Sequence, residues 1–366
     1  MSATATDDPR AGHQEMAPHP HGLGPLGQGA GTPATHGPQG TGIGPQGIGP
    51  QETVTARYFY PQGDPRRRLF ALFYFASLLT LWNILGHTLL GFEQSIAQPL
   101  VGVGTACATQ LLLEWLRTAA QGQRPRFLDS REALIGLLLP AWIPGLAVAM
   151  LLYPNEGLVP VAFAAALSIA SKGLVRVPVG PPGGGATQHL FNPSNFGITF
   201  TLAFFPWIGL APPYHFTEHV TGLWYWGLPF IILATGIVVH ALFTGRLALC
   251  LAWICGFVLQ GQIRAFLFDI PPVLPLLPMT SAAFMVFTLY MIPDPATTPL
   301  SQRGQIAFGL AVAAVYGVYF SLHLAFGLFF SLFTVCLLRG LYLWWQAAWR
   351  TPEAPATPAA EEAPGG

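Results

Sequence analysis

The chain has 366 residues, of which 52% are hydrophobic and only 9% are charged, whereas a soluble domain carries about 25% charged residues. Sixteen basic residues balance sixteen acidic ones, so the sequence offers no basic face for binding nucleic acid. This composition excludes a soluble enzyme and predicts an all-α polytopic membrane protein, whose first partner is the lipid bilayer.

The two ends of the chain differ in composition from the part between them. Residues 1–55 are rich in Gly, Pro, His, Gln and Thr, and residues 351–366 are rich in Ala, Pro and Glu. Such segments bury too little apolar surface to offset the entropy of ordering. We therefore predict two disordered tails that flank a transmembrane helical domain at 56–350.

Ten stretches of about 20 mostly apolar residues follow one another in this domain, and each is long enough for a spanning helix. Pro140, Pro144 and Pro278 interrupt two of them. In lipid such breaks persist where neighbouring protein or a cavity satisfies the freed backbone groups, which favours a bundle packed around a polar site. The predicted spans are approximately 69–90, 95–116, 132–153, 156–175, 190–208, 222–243, 246–263, 272–292, 304–322 and 325–347.

The distribution of basic residues orients these ten spans. Cytoplasmic loops of membrane proteins collect Lys and Arg, and Arg66, Arg67 and Arg68 precede the first span. With ten spans the remaining loop cations also fall on the inner side, except Arg264. We therefore predict a multi-pass protein of a bacterial inner membrane with both termini in the cytoplasm.

The segment 171–197 is the first of two stretches on the predicted inner side that are not simply apolar. It joins a lysine and a glycine-rich turn to Asn192-Pro193-Ser194-Asn195, a typical helix start. A helix N-terminus, a lysine and glycine N–H groups together suit the phosphate of a flavin or nucleotide. The alternative is that the segment only caps the fifth helix. The predicted cofactor-binding residues here are Lys172, Asn192, Asn195 and Gly197.

The segment 291–309 is the second such stretch. Asp294 lies between two prolines at the end of a predicted span, and Thr297 and Thr298 follow. An acidic residue at a broken membrane helix is a functional candidate, so all three join the predicted binding residues. The alternative is that Asp294 only caps a short turn. The sequence identifies no catalytic residue and no metal-ligand set.

Two other polar features have structural interpretations. Glu114 and Arg117 are spaced for an ion pair on one helix face. His240 lies within the sixth predicted span, where a hydrogen bond to a neighbouring helix is the favoured interpretation.

The two inner segments carry a family resemblance. The strings HLFNPSNFGITF at 189–200 and YMIPDPATTPLSQRGQIAFG at 290–309 resemble those of the NqrB/RnfD family, the membrane subunits of the sodium-pumping NADH:quinone reductase and of Rnf electron-transport complexes. The resemblance covers roughly 69–347, and LLYPNEGLVPVAFAAALSIASK at 151–172 looks closest to the stand-alone enediyne biosynthesis proteins of the UnbU type.

The resemblance implies ten helices in two five-helix repeats, flavin in the membrane, and electron transfer coupled to ion movement. The family attaches FMN covalently to the Thr of an S-G-A-T motif, but the corresponding loop at 210–222 reads LAPPYHFTEHVTG. Covalent FMN is therefore not expected, and noncovalent FMN or riboflavin is the remaining flavin hypothesis.

Three functions remain open from the sequence. The first is a flavin-dependent membrane redox subunit that serves enediyne-type biosynthesis together with redox or biosynthetic partner proteins. The second is a channel-like transporter of a small solute or of the natural product. The third is a scaffold that anchors partner enzymes through its tails. The paired motifs favour the first.

Overall fold

The computed structural model describes residues 65–155, 157–179, 187–210 and 221–349. These residues form ten α-helices and four very short strands. The predicted tails, the glycine-rich turn at 180–186 and the loop residues 211–220 lie outside the described residues. The helices are α1 (Pro65–Thr88), α2 (Ala97–Ala120), α3 (Arg131–Leu151), α4 (Val159–Leu174), α5 (Pro193–Phe204), α6 (Trp224–Val238), α7 (Leu247–Leu267), α8 (Ala282–Val286), α9 (Gln302–Ser321) and α10 (Gly327–Trp349).

The strands form two antiparallel pairs between helices. β1 (Leu152–Tyr153) pairs with β4 (Gly209–Leu210), and β2 (Arg176–Pro178) pairs with β3 (Thr187–His189). The second pair brings the end of α4 beside the start of α5.

Two helices continue into π-helical segments, in which each N–H bonds to the carbonyl five residues earlier instead of four. Val239–Thr244 extends α6, and Phe287–Met291 extends α8. A 3₁₀-helix at Leu274–Thr280 precedes α8.

Six of the described helices are long and apolar enough to cross a membrane, namely α1, α2, α3, α7, α9 and α10. A seventh span results if Leu274–Thr280 and Phe284–Met291, which are bent by 76° to each other, count as one. The helices α4 and α5 have only 16 and 12 residues, or about 24 and 18 Å at 1.5 Å per residue, against a hydrocarbon core of about 30 Å. The prediction of an all-α protein with several helices able to cross a membrane is confirmed. Ten full spans are not confirmed, because α4, α5, α6 and α8 are each too short to be a full-length span on their own.

Small residues bring the main helix pairs into backbone contact. A Cβ on Gly102 of α2 would lie 2.6 Å from the carbonyl oxygen of Gly145 in α3. Between α7 and α9, a Cβ on Gly309 would lie 2.8 Å from the carbonyl oxygen of Leu249. Close backbone approach of this kind is how helices associate in lipid, where burial of apolar surface provides no driving force between them.

The helix contacts follow a similar order in the two halves. α2 packs on α4 and α4 on α5, while α7 packs on α9 and α9 on α10. α5 also contacts α10, which joins the halves. The largest buried side chains include Trp253, Phe257, Phe287 and Phe329, so an aromatic core lies within the second half.

Candidate functional site

The start of α5 and the segment after α8 meet through Asn192. Its Oδ1 accepts hydrogen bonds from the Asn195 backbone N–H at 3.0 Å and the Ser194 hydroxyl at 2.8 Å. This is the N-cap that the sequence predicts, with Pro193 at the first helical position. The Asn192 Nδ2 donates to the carbonyl oxygen of Met291 at 3.2 Å. The two segments with the family resemblance are therefore in direct contact.

The position of Met291 at a helix end explains why its carbonyl accepts this bond. The last carbonyls of a helix have no donor within the helix, and Met291 is the last residue of the π-helical segment. Asn192 supplies a donor from another helix.

Other backbone carbonyls also accept hydrogen bonds from side chains of distant segments. Leu289 lies near the end of the same π-helical segment, and its carbonyl accepts from His240 Nε2 at 2.6 Å. Since Nε2 donates, Nδ1 of the neutral ring accepts from the Thr244 hydroxyl at 2.8 Å. The structure thus confirms His240 as a contact between helices.

Arg246 and Lys172 also donate to backbone carbonyls. Arg246 Nη2 donates to the Pro295 carbonyl at 3.2 Å and its Nη1 to the Pro299 carbonyl at 2.8 Å, both in the turn before α9. Within α3, Pro144 has no N–H to donate to the Pro140 carbonyl four residues earlier, and Lys172 Nζ donates to that carbonyl at 2.6 Å.

Asp294 forms the turn between these contacts. Its Oδ1 accepts from the Ala296 backbone N–H at 3.1 Å, and its carbonyl oxygen accepts from the Thr298 hydroxyl at 2.8 Å and the Thr297 hydroxyl at 3.3 Å. The turn-capping interpretation of Asp294 therefore holds. Both threonine hydroxyls hold this turn together, and both side chains are buried.

Cations outnumber acidic groups around this turn. Lys172 and Arg246 lie within electrostatic range of Asp294, and Arg339 of α10 donates to the Thr297 carbonyl at 3.0 Å. Burial lowers the pKa of the Arg246 guanidinium, the Asp294 carboxylate opposes the shift, and Arg339 adds to it. Among the described residues Asp294 forms no ion pair with any of them. We call Lys172, Arg246, Arg339 and Asp294 the inner cluster.

Two predicted site residues serve packing between helices instead. Asn195 is 1% exposed, and its Nδ2 donates to the Phe329 carbonyl of α10 at 3.2 Å. A Cβ on Gly197 would collide with the Ala164 carbonyl oxygen and the Ser168 hydroxyl of α4. Gly197 therefore lets α5 lie directly on α4, whereas Asn195 ties α5 to α10.

The structure brings together five of the seven predicted binding residues, which are Lys172, Asn192, Asp294, Thr297 and Thr298. It adds Arg246 and Arg339 to them. In the sequence, Arg246 was one of the loop cations that oriented the spans and was not predicted as a binding residue. Arg339 was missed, although a charged residue within an apolar helix is itself a functional signal in a membrane protein.

Comparison of the chain with models of known protein families and with curated proteins finds no match. Among the described residues no group of three or more His, Cys, Asp or Glu side chains could hold a metal ion. The proposed function therefore rests on the geometry of the inner cluster.

Proposed function

We propose that the chain is a membrane redox subunit of the NqrB/RnfD type that holds a noncovalent flavin, with the phosphate of FMN at the inner cluster. The proposal rests on the charges at the contact between the two segments that carry the family resemblance. Three cations lie there around a single carboxylate. Charges removed from water are expensive unless they are paired, and a phosphate would balance this excess.

The donors of the inner cluster fit a phosphate. Lys172 uses one of its three N–H groups on the Pro140 carbonyl. Arg246 is 4% exposed, and its Nε is buried without a hydrogen-bond partner among the described residues. Guanidinium and ammonium groups are the side chains that bind phosphate oxygens most strongly.

A bound flavin would supply one- and two-electron transfer, and the chain would supply its position and its electrostatic surroundings. Lys172 and Arg246 would hold the phosphate, while Asn192 would keep the two segments in contact. Thr297 and Thr298 both donate to the Asp294 carbonyl, so both hydroxyls would hold the turn beside the phosphate.

Ten membrane-crossing segments in two five-helix repeats remain part of the proposal. The parallel order of packing supports it, with α2, α4 and α5 in one half and α7, α9 and α10 in the other. The proposed setting is a bacterial inner membrane with both termini in the cytoplasm, in enediyne-type biosynthesis with redox partner proteins.

The proposal is tested by purifying the full chain in mild detergent and measuring bound flavin by visible absorption and by chromatography after denaturation. We expect FMN to be released from the wild-type protein. Lys172→Gln should weaken FMN binding by about tenfold or more, because a charge-assisted hydrogen bond contributes about 1.5–3 kcal/mol.

Arg303→Gln is the matched control, because Arg303 lies near the cluster in the chain, at the start of α9, and is exposed. It should bind FMN like the wild type. Release of riboflavin alone would refute the phosphate site but keep the redox function. Absence of any flavin from the wild-type protein would refute both.

A channel-like transporter is the second candidate, and the bend of 76° before Phe284 favours it. Transporters form their substrate sites from broken helices whose ends meet within the membrane. The flavin measurement separates the two functions, because a transporter of this kind needs no flavin.

A further inference from the structure

Arg264 is a buried cation far from the inner cluster. It lies in the last turn of α7, about 27 Å along the helix axis from Arg246 at 1.5 Å per residue. Its side chain is 5% exposed. With ten spans, Arg264 is also the one cation near a loop that lies on the outer side, whereas the other loop cations lie on the inner side.

Neighbouring groups hold the guanidinium in place. The Arg264 Nε donates to Gln260 Oε1 at 2.8 Å, and Gln260 Nε2 donates to the Phe257 carbonyl at 2.8 Å. The guanidinium carbon lies 4.0 Å from the centre of the Phe320 ring. Gly317 leaves room for the amide, since a Cβ there would lie 3.0 Å from Gln260 Oε1.

This setting lacks a counter-charge. Arg264 Nη2 is buried without a hydrogen-bond partner, and no acidic side chain among the described residues forms an ion pair with Arg264. The aromatic ring and the C-terminal end of the helix dipole offset part of the cost of burial. Neither accepts a hydrogen bond from Nη2 as an anion would.

A second donor packs on the same aromatic ring as the first. Tyr316 of α9 is buried, and its ring centre lies 6.0 Å from that of Phe320, over which the Arg264 guanidinium lies. A phenol and a guanidinium together can donate to several oxygens of one phosphate group.

We infer that Arg264 and Tyr316 form a second anion site, which binds a phosphate group at the end of the bundle opposite the inner cluster. Gln260 and Phe320 position the guanidinium and leave Nη2 for the ligand. The phosphate would come either from a soluble phosphate compound or from the headgroup of an anionic lipid. This site is independent of the proposed flavin function.

The test compares thermal unfolding of the detergent-purified full chain in inorganic phosphate and in chloride of equal ionic strength. We expect phosphate at about ten times its dissociation constant to raise the Tm of the wild type by about 3 °C. Arg264→Gln should lower the rise by the same amount in the wild type and in a Lys172→Gln background, which weakens the inner cluster, and Tyr316→Phe should lower it less. Arg124→Gln, at an exposed cation of the α2–α3 loop, should keep it.

A second arm separates the two sources of phosphate. Native mass spectrometry of protein taken from phosphatidylglycerol nanodiscs should show retained lipid on the wild type and its loss on Arg264→Gln if the headgroup is the ligand. If Arg264→Gln does not fold, Arg264→Lys takes its place, with a predicted reduction of at least tenfold in affinity. The inference is overturned if the wild type responds to neither probe, or if both Arg264 variants respond as it does.

Discussion

At the scale of single residues, backbone carbonyls without a helical donor accept hydrogen bonds from polar side chains of distant segments. A buried carbonyl without a donor costs about 1–3 kcal/mol, and lipid supplies no water to satisfy it. Helix ends, turns and the proline within α3 thus create a requirement that a distant residue fulfils. The pairs are Pro140 with Lys172, Met291 with Asn192, Leu289 with His240, Pro295 with Arg246, and Met150 with Gln94.

Asn192→Ala tests this double use, because Asn192 both caps α5 and donates to Met291. Losing the cap costs about 1 kcal/mol and losing the buried hydrogen bond about 1 kcal/mol more. We expect a larger fall in Tm than for Ser301→Ala, which removes only the cap of α9. Tryptophan fluorescence during heating in detergent measures both, and equal shifts would contradict the bridging role.

At the scale of helices, the close contact of α4 and α5 depends on the absence of a Cβ at Gly197. α5 is too short to obtain its stability from length, so its position depends on packing against α4 and α10. The collision of a Cβ on Gly197 involves the backbone of α4, which cannot move aside like the end of a flexible side chain.

Gly197→Ala should therefore destabilise the protein by about 1–3 kcal/mol, the usual cost of overpacking. Gly104→Ala is the matched control, since Gly104 lies within α2 with nothing near the added Cβ. We expect that control to be neutral or slightly stabilising, because alanine is the better helix former. Thermal unfolding compares the two, and a neutral Gly197→Ala would show that α5 can shift away from α4.

At the scale of the whole molecule, the number of crossings decides which side each loop occupies. With ten crossings the loop after α7 lies outside, whereas with only the six longest helices as spans the same loop lies inside. The α2–α3 loop lies inside in both cases.

Asp269→Cys in a background without the four native cysteines distinguishes these topologies. We expect a membrane-impermeant maleimide added to intact cells to label Cys at this position, because ten crossings place it outside. Gln123→Cys, in the α2–α3 loop, should be labelled only after the cells are opened. Labelling of both positions only in opened cells would support six crossings.

The sequence predicted local features better than features that depend on packing. The N-cap at Asn192 and the Glu114–Arg117 ion pair, with an N–O distance of 2.8 Å, follow from neighbours within four residues, and both are confirmed. The predicted span at 190–208 was too long, because hydrophobicity does not distinguish a helix from the apolar residues that flank it. The hydrogen-bond partners of Lys172 and Arg246 could not be predicted. A backbone carbonyl without a helical donor meets its side-chain donor only when segments distant in sequence pack together.

The two π-helical segments restrict how the length of the chain can change. His240 lies in one and Leu289 in the other, and a hydrogen bond of 2.6 Å joins them. Deleting one residue from either segment would return it to α-helical winding and change the directions of the side chains and carbonyls within the segment itself. His240 would then no longer face the Leu289 carbonyl. Single-residue deletions should therefore be tolerated in the loops but not at these two turns.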